Sequence, residues 1–163
     1  MLAIVGGGLL AALATSDRQP VPITVGGGVS FVAPPDWSFV SRVEPPADGG
    51  DAVLLTRGVA GLLVYTAPES GPRALAELRA ELLASPMMSV GDDQPADAGP
   101  GVTATRFAFS GVLPELAAAP IEGEATAVQG STLSVVFFGW ADVGDYHVMR
   151  HEILEMIRRA DIP

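Results

Sequence analysis

The sequence predicts an α+β domain: a mainly antiparallel sheet of about six to eight strands with helices packed on it. Three observations lead there. Short segments of alternating apolar and polar residues follow one another through hairpin-sized turns. Two segments carry apolar residues at a helical period. One segment, Val135-Val136-Phe137-Phe138, is apolar toward both sides, which a strand covered on both faces requires.

Ile23 to Val25 reads as a short strand ended by the turn cluster Gly26-Gly27-Gly28. Val29, Phe31 and Ala33 then alternate with Ser30 and Val32 up to Pro34-Pro35-Asp36. Trp37, Phe39, Ser41 and Val43 extend the alternation along a third strand, and Glu44 to Gly50 is a loop by its proline, aspartate and glycine content. Ala52 to Arg57 and Gly61 to Thr66 are the next two strands, joined tightly at Gly58 to Ala60. Ser70 is then placed to cap a helix, with Pro72 in its first turn, where a missing N–H costs nothing. Leu75, Leu78 and Leu82 share one face of this helix, Glu77 and Glu81 lie away from it, and Ser85-Pro86 ends it.

Asp92 to Gly101 is an acidic loop rich in proline and glycine, expected to protrude. Three strands follow: Thr103 to Phe109, about Ile121 to Gln129, and Thr132 to Trp140. A second helix, about Asp145 to Ala160, buries Tyr146, Met149, Ile153, Met156 and Ala160. Arg158 and Arg159 complement its dipole in the last turn.

Ahead of the domain stands MLAIVGGGLLAALA, residues 1–14, uncharged and apolar, with a small-x-small end at Ala12-Leu13-Ala14. At about 1.5 Å per residue such a helix reaches ~21 Å, short of a ~30 Å hydrocarbon core. It reads as an export signal or as part of a membrane anchor. A start further upstream, adding basic and apolar residues, would make it a full anchor. Residues 15–22 form a polar linker, and residues 23–163 a single domain. The expected location is therefore extracytoplasmic, membrane-anchored or secreted.

Composition narrows the function. The net charge of −10 excludes the basic footprint that nucleic-acid binding uses, and leaves membrane contact to the N-terminal segment. Cysteine is absent, which removes disulfides, thiolate nucleophiles, Cys-ligated zinc and a lipidated cysteine. No cofactor motif occurs: the glycine triplets at 6–8 and 26–28 lack the strand–loop–helix setting of a phosphate site.

The element order, the strand running into proline and tryptophan (VSFVAPPDWSF, Val29 to Phe39) and the ending FFGWADVGDYHVMRHEILEMIRR (Phe137 to Arg159) resemble a known family. They are similar to the PsbP-like α/β/α sandwich, shared with the Ran-binding Mog proteins, LpqN-type lipoproteins of mycobacterial envelopes and DcrB-like proteins. The resemblance spans roughly residues 22–160. It implies a non-enzymatic binding or assembly factor whose partner is a protein or an envelope component.

Candidate chemistry is sparse. His147 and His151, four apart on the last helix, could reach one metal ion, although the order is not that of H-E-x-x-H. The same helical wheel puts them opposite Met149, beside Arg158, on a solvated face. Glu122 and Glu124 share a strand face and could form an acid–base pair, but an edge or solvent face accounts for them more simply. Asp92, Asp93 and Asp97 lack the spacing of a calcium loop. Trp37, Trp140 and Tyr146 could shape a recess at one end of the sheet. The loops at 44–51 and 91–101 are the expected contact surface. The reading is a non-catalytic accessory domain of a bacterial cell envelope. A chaperone-like module shielding apolar segments of a secretion client is the alternative, and a metal-dependent hydrolase using the two histidines is a third.

Overall fold

The computed structural model describes residues 19–43 and 50–163. The leader at 1–14, the first half of the 15–22 linker and most of the 44–50 loop lie outside the described residues; the end of that expected linker, Val21 and Pro22, belongs to the first strand. The elements in chain order are β1 (Val21–Thr24), β2 (Ser30–Ala33), β3 (Ser38–Val43), β4 (Ala52–Arg57), β5 (Ala60–Ala67), α1 (Gly71–Leu83), β6 (Met88–Val90), β7 (Gln94–Pro95), β8 (Thr103–Gly111), β9 (Ile121–Gln129), β10 (Ser134–Asp142) and α2 (Tyr146–Arg158). The fold class is the one the sequence predicts. An eight-stranded sheet runs in the order β3-β4-β5-β10-β9-β8-β6, with β7 also paired to β8, and every pairing is antiparallel.

β10 sits at the centre of this order, between β5 and β9, and each residue from Ser134 to Ala141 is buried. Its alternate side chains feed two cores. Val135, Phe137 and Ala141 pack with Met149, Ile153, Met156 and Ile157 of α2. Val136, Phe138 and Trp140 pack with Leu75, Leu78 and Leu82 of α1. Each large apolar side chain so buried contributes about 1.5–3 kcal/mol. Two helices on opposite faces thus explain why this strand has no polar alternation.

β1 and β2 do not join the main sheet as its first strands; they form a separate hairpin. Pro34-Pro35 breaks the chain out of register with β3, and the hairpin folds over the α2 face. Phe31 meets Phe137 edge-on at 5.9 Å between ring centroids, and Ser30 exchanges backbone hydrogen bonds with Asp161 (3.1 and 2.8 Å). The alternation expected along β3 also fails. A bulge between Phe39 and Ser41 inserts Val40, and both Phe39 and Val40 are exposed. β3 is an edge strand, where such an insertion discourages pairing with another chain.

The β4–β5 connection is the two-residue loop Gly58-Val59, since Arg57 pairs with Ala60. Gly58 holds φ +61°, as the first position of a primed hairpin turn requires, and a Cβ there would touch nothing within 4 Å. Gly58→Ala is therefore expected to cost about 1 kcal/mol through backbone conformation alone. A shifted urea midpoint with an unchanged slope checks it.

α1 begins where expected, but Ser70 makes no side-chain cap. The amide of Gly71 instead donates to Gln129 Oε1 (2.9 Å), at the end of β9, and the Ser134 hydroxyl lies where its one hydrogen can be given to the Glu69 carbonyl (2.8 Å) or to the same Gln129 oxygen (3.1 Å). The cap comes from the sheet rather than from the neighbouring chain. In α2, Ile157 takes the buried place expected of Ala160, which lies beyond the last turn and is half-buried.

Candidate functional site

Glu122 and Glu124 lie on the α2 face of β9, which is an interior strand of the sheet and not an edge. An edge position is therefore not the reason for them. α2 lies over β10 and β5 and leaves this part of β8 and β9 only partly covered. Glu124, with its side chain 12 % exposed, accepts from Arg106 of β8 and from Arg150 of α2 (2.9 Å). Glu122 accepts from the Gly144 amide (3.0 Å), fixing the turn that enters α2. Each carboxylate is thus engaged with its own structural donors, so the pair is not arranged as acid and base. Beside them lies an open shelf of about 360 Å³ with a mixed lining, in which Ala108 and Phe109 stand with Ser110, Glu122, Glu124 and Tyr146.

Burial raises the phenol pKa of Tyr146, with the nearby Glu124 adding to it, and burial raises that of Tyr65, with Glu81, Glu69 and Glu77 adding to it. Both folded-state values lie above the unfolded value of about 10. The stability that comes from keeping these phenols neutral is whole below about pH 10 and is lost as pH rises through the folded values. Urea midpoints are expected to hold steady up to about pH 9.5 and to fall above it. Tyr65→Phe with Tyr146→Phe should flatten that decline.

A second ionic cluster ties α2 to the connection between β2 and β3 and to the end of β4. Glu152 accepts from the indole of Trp37 (2.9 Å) and pairs with Arg57, which also meets Asp36 at 3.4 Å. The acidic stretch at 92–101 is likewise held down rather than free to protrude. Asp93 pairs with Arg79 of α1, Asp97 pairs with Arg158 of α2 (2.9 Å), Ala98 is buried, and β7 is paired to β8. The Arg158 guanidinium, with the Gly99 amide, lowers the pKa of Asp97.

His147 and His151 are both exposed on α2. Among the described residues no group of three or more His, Cys, Asp and Glu is gathered so that it could hold an ion. Zinc is therefore expected to leave the melting temperature of the domain unchanged, and His147→Ala with His151→Ala to behave like the parent. The three aromatic residues do not shape one recess. Trp37 and Tyr146 belong to the core under α2, whereas Trp140 belongs to the core under α1, because residue 140 falls on the other face of β10.

A cavity of about 460 Å³ lies at the C-terminal end of α1, a place the sequence analysis did not single out. Leu78 and Leu82 come from α1, Met87 from the chain leaving it, Leu113 from the connection after β8, and Phe138 from β10. Glu81 also lines it; its Oε2 is sealed from solvent and has no hydrogen-bond partner. Glu81 thus does not lie away from the apolar face as its helical position suggested. The one sequence signal for this cavity is that apolar residues run on from the buried stripe to Leu83, the last residue of α1, and to Met87 beyond it, each 54 % exposed.

No family model matches the chain, and no curated protein matches it. Solved structures do. Cyanobacterial PsbP (CyanoP) from Synechocystis sp. PCC 6803 superposes over 96 % of this chain and 100 % of its own, with a TM-score of 0.63 at 11 % identity. The fold is PsbP-like. The Saccharomyces cerevisiae Ran-binding protein Mog1p matches over 89 % of this chain and 96 % of its own (TM-score 0.56, 13 % identity). LpqN of Mycobacterium tuberculosis, involved in cell envelope biogenesis, matches over 89 % and 91 % (TM-score 0.51, 16 % identity). Among the described residues, no helix is long and apolar enough to cross a membrane.

Proposed function

We propose that this chain is a non-catalytic binding domain of a bacterial cell envelope, working outside the cytoplasm and anchored or delivered by its apolar N-terminal segment. One observation carries the binding part of this reading. The apolar cavity under α1 has the size and lining of a ligand site, while the carboxylates with the best catalytic prospects are engaged in holding elements together. The likeness to LpqN and the composition of residues 1–14 support the envelope location. The partner is an envelope component or a protein seated at this cavity.

Protease shaving of intact cells expressing the full chain with a C-terminal epitope tests the location. Loss of the epitope before lysis is expected. An epitope that survives until the cells are broken contradicts an external domain. The chaperone-like reading is favoured by exposed Leu83 and Met87 next to the cavity, and a product found untethered in the cytoplasm would select it.

A further inference from the structure

Among the described residues, the most exposed large apolar side chains are Val59, Leu83, Met87, Val143 and Val148. The strand register brings all five to one end of the sheet. Gly61, just past the turn that carries Val59, pairs with Trp140, and Trp140 with Gly123. Asp142, next to Val143, pairs with Ile121, Ile121 with Gly111, and Gly111 with Met88, next to Met87. α1 starts beside Gln129 at the opposite end and finishes here at Leu83, while α2 starts here and carries Val148 in its first turn. At about 4.8 Å per strand, the row from the β4–β5 turn to β6 is roughly 20 Å wide. Apolar side chains scattered singly need no explanation, but a row gathered at one end does.

The chain also enters the fold from this end. β2 runs from Ser30, which bonds to Asp161 beyond α2, toward Asp36, which meets Arg57 (3.4 Å) beside the same β4–β5 turn. β1 is antiparallel to β2, so the residues ahead of Val21 arrive from the side of that turn. The six residues from Ala14 to Pro20 span at most about 20 Å when fully extended. With residues 1–14 in a bilayer, so short a tether keeps this end toward the lipid. We infer that this end of the sheet rests on the bilayer surface, with Val59, Leu83, Met87 and Val143 entering the interface and Asp97 and Asp161 at the other end facing away. Glu115, Asp142 and Asp145 stand at the lipid end as well, so the contact is apolar rather than electrostatic, and the tether sustains it by holding the surface at high effective concentration. The cavity lined by Leu82, Met87 and Leu113 lies at the same end, within reach of a membrane component. The inference rests on the anchored form of the proposed function and adds the face that the domain turns to the lipid.

The full chain in phosphatidylcholine nanodiscs, with a paramagnetic label on a fraction of the lipid headgroups, tests it by methyl NMR. The signals of Val59, Leu83, Met87 and Val143 are expected to broaden. Val102, 41 % exposed and next to the Thr103–Gln129 pair at the opposite end, should stay sharp. Val59→Asp with Val143→Ser reduces the apolar area at the interface and should cut the broadening at Leu83 and Met87 by roughly threefold, with the urea midpoint and the association with the discs unchanged. A chain that joins the discs yet broadens Val102 as much as Val59, or neither, would overturn the inference and leave the anchor standing. A chain that does not join the discs would overturn the anchor and this orientation together. Concentration-dependent shifts at the same four residues without lipid would give this end to a second copy of the chain, which also overturns it.

Discussion

Phe138→Ala is expected to destabilise the domain by about 3–5 kcal/mol, the range for emptying a fully buried aromatic site. Phe138 is 1 % exposed at the middle of β10, stacked on Phe109 (4.8 Å between centroids) and tilted against Trp140 (5.5 Å). Its ring is shared between the sheet and α1, so truncation leaves a void that no single neighbour can fill. A single domain of this size holds only about 5–15 kcal/mol of stability, and the loss should appear as a large fall in the urea midpoint. Phe39→Ala is the control. Phe39 is 47 % exposed on the bulged edge strand, and its removal should change stability by less than about 0.5 kcal/mol. Equal losses at the two positions would contradict the placement of the core.

Glu124→Ala should cost about 2 kcal/mol and Glu124→Gln about half of that. Removing the carboxylate leaves Arg106 and Arg150 facing each other across an interior strand. Breaking a fully buried pair costs ~3–5 kcal/mol; here both guanidinium groups keep some contact with water, which screens part of the effect. The loss should come with local loosening of α2, visible as faster amide exchange at Met149 and Arg150. A Glu124→Ala variant as stable as the parent would show that the network is ornamental and would reopen a chemical role for the carboxylate.

Long elements with a clear period were legible in the sequence because their own side chains determine them. β5, β8, β9, β10 and both helices fall within a few residues of their predicted bounds, and the two-sided run in β10 correctly announced a strand covered on both faces. What escaped was decided by partners distant in the chain. β6 and β7, three and two residues long, exist because β8 offers an edge to pair with. The bulge at Val40 is a property of the β3–β4 register, which alternation along one strand cannot reveal. Gln129 caps a helix that begins 58 residues before it. The ionic clusters were invisible for the same reason: Arg57 and Glu152 are 95 residues apart, and only the fold brings them together. Glu122 and Glu124 were found by their spacing, yet their meaning depended on Arg106, Arg150 and the Gly144 amide, which spacing does not supply. The cavity at the end of α1 is assembled from three separate stretches of chain, 78–87, 113–115 and Phe138, and their leucines and phenylalanine read simply as core.

The account depends most on the claim that this sandwich works through the cavity beneath α1 rather than through its histidine face. Methyl-selective NMR of the full chain, titrated with a detergent extract of the bacterial envelope, measures that directly. Shifts confined to Leu78, Leu82, Met87 and Leu113, and reduced by Met87→Trp, are the predicted result. Shifts that instead converge on Val148 and Leu154 beside His147 and His151, unchanged by Met87→Trp, would contradict it.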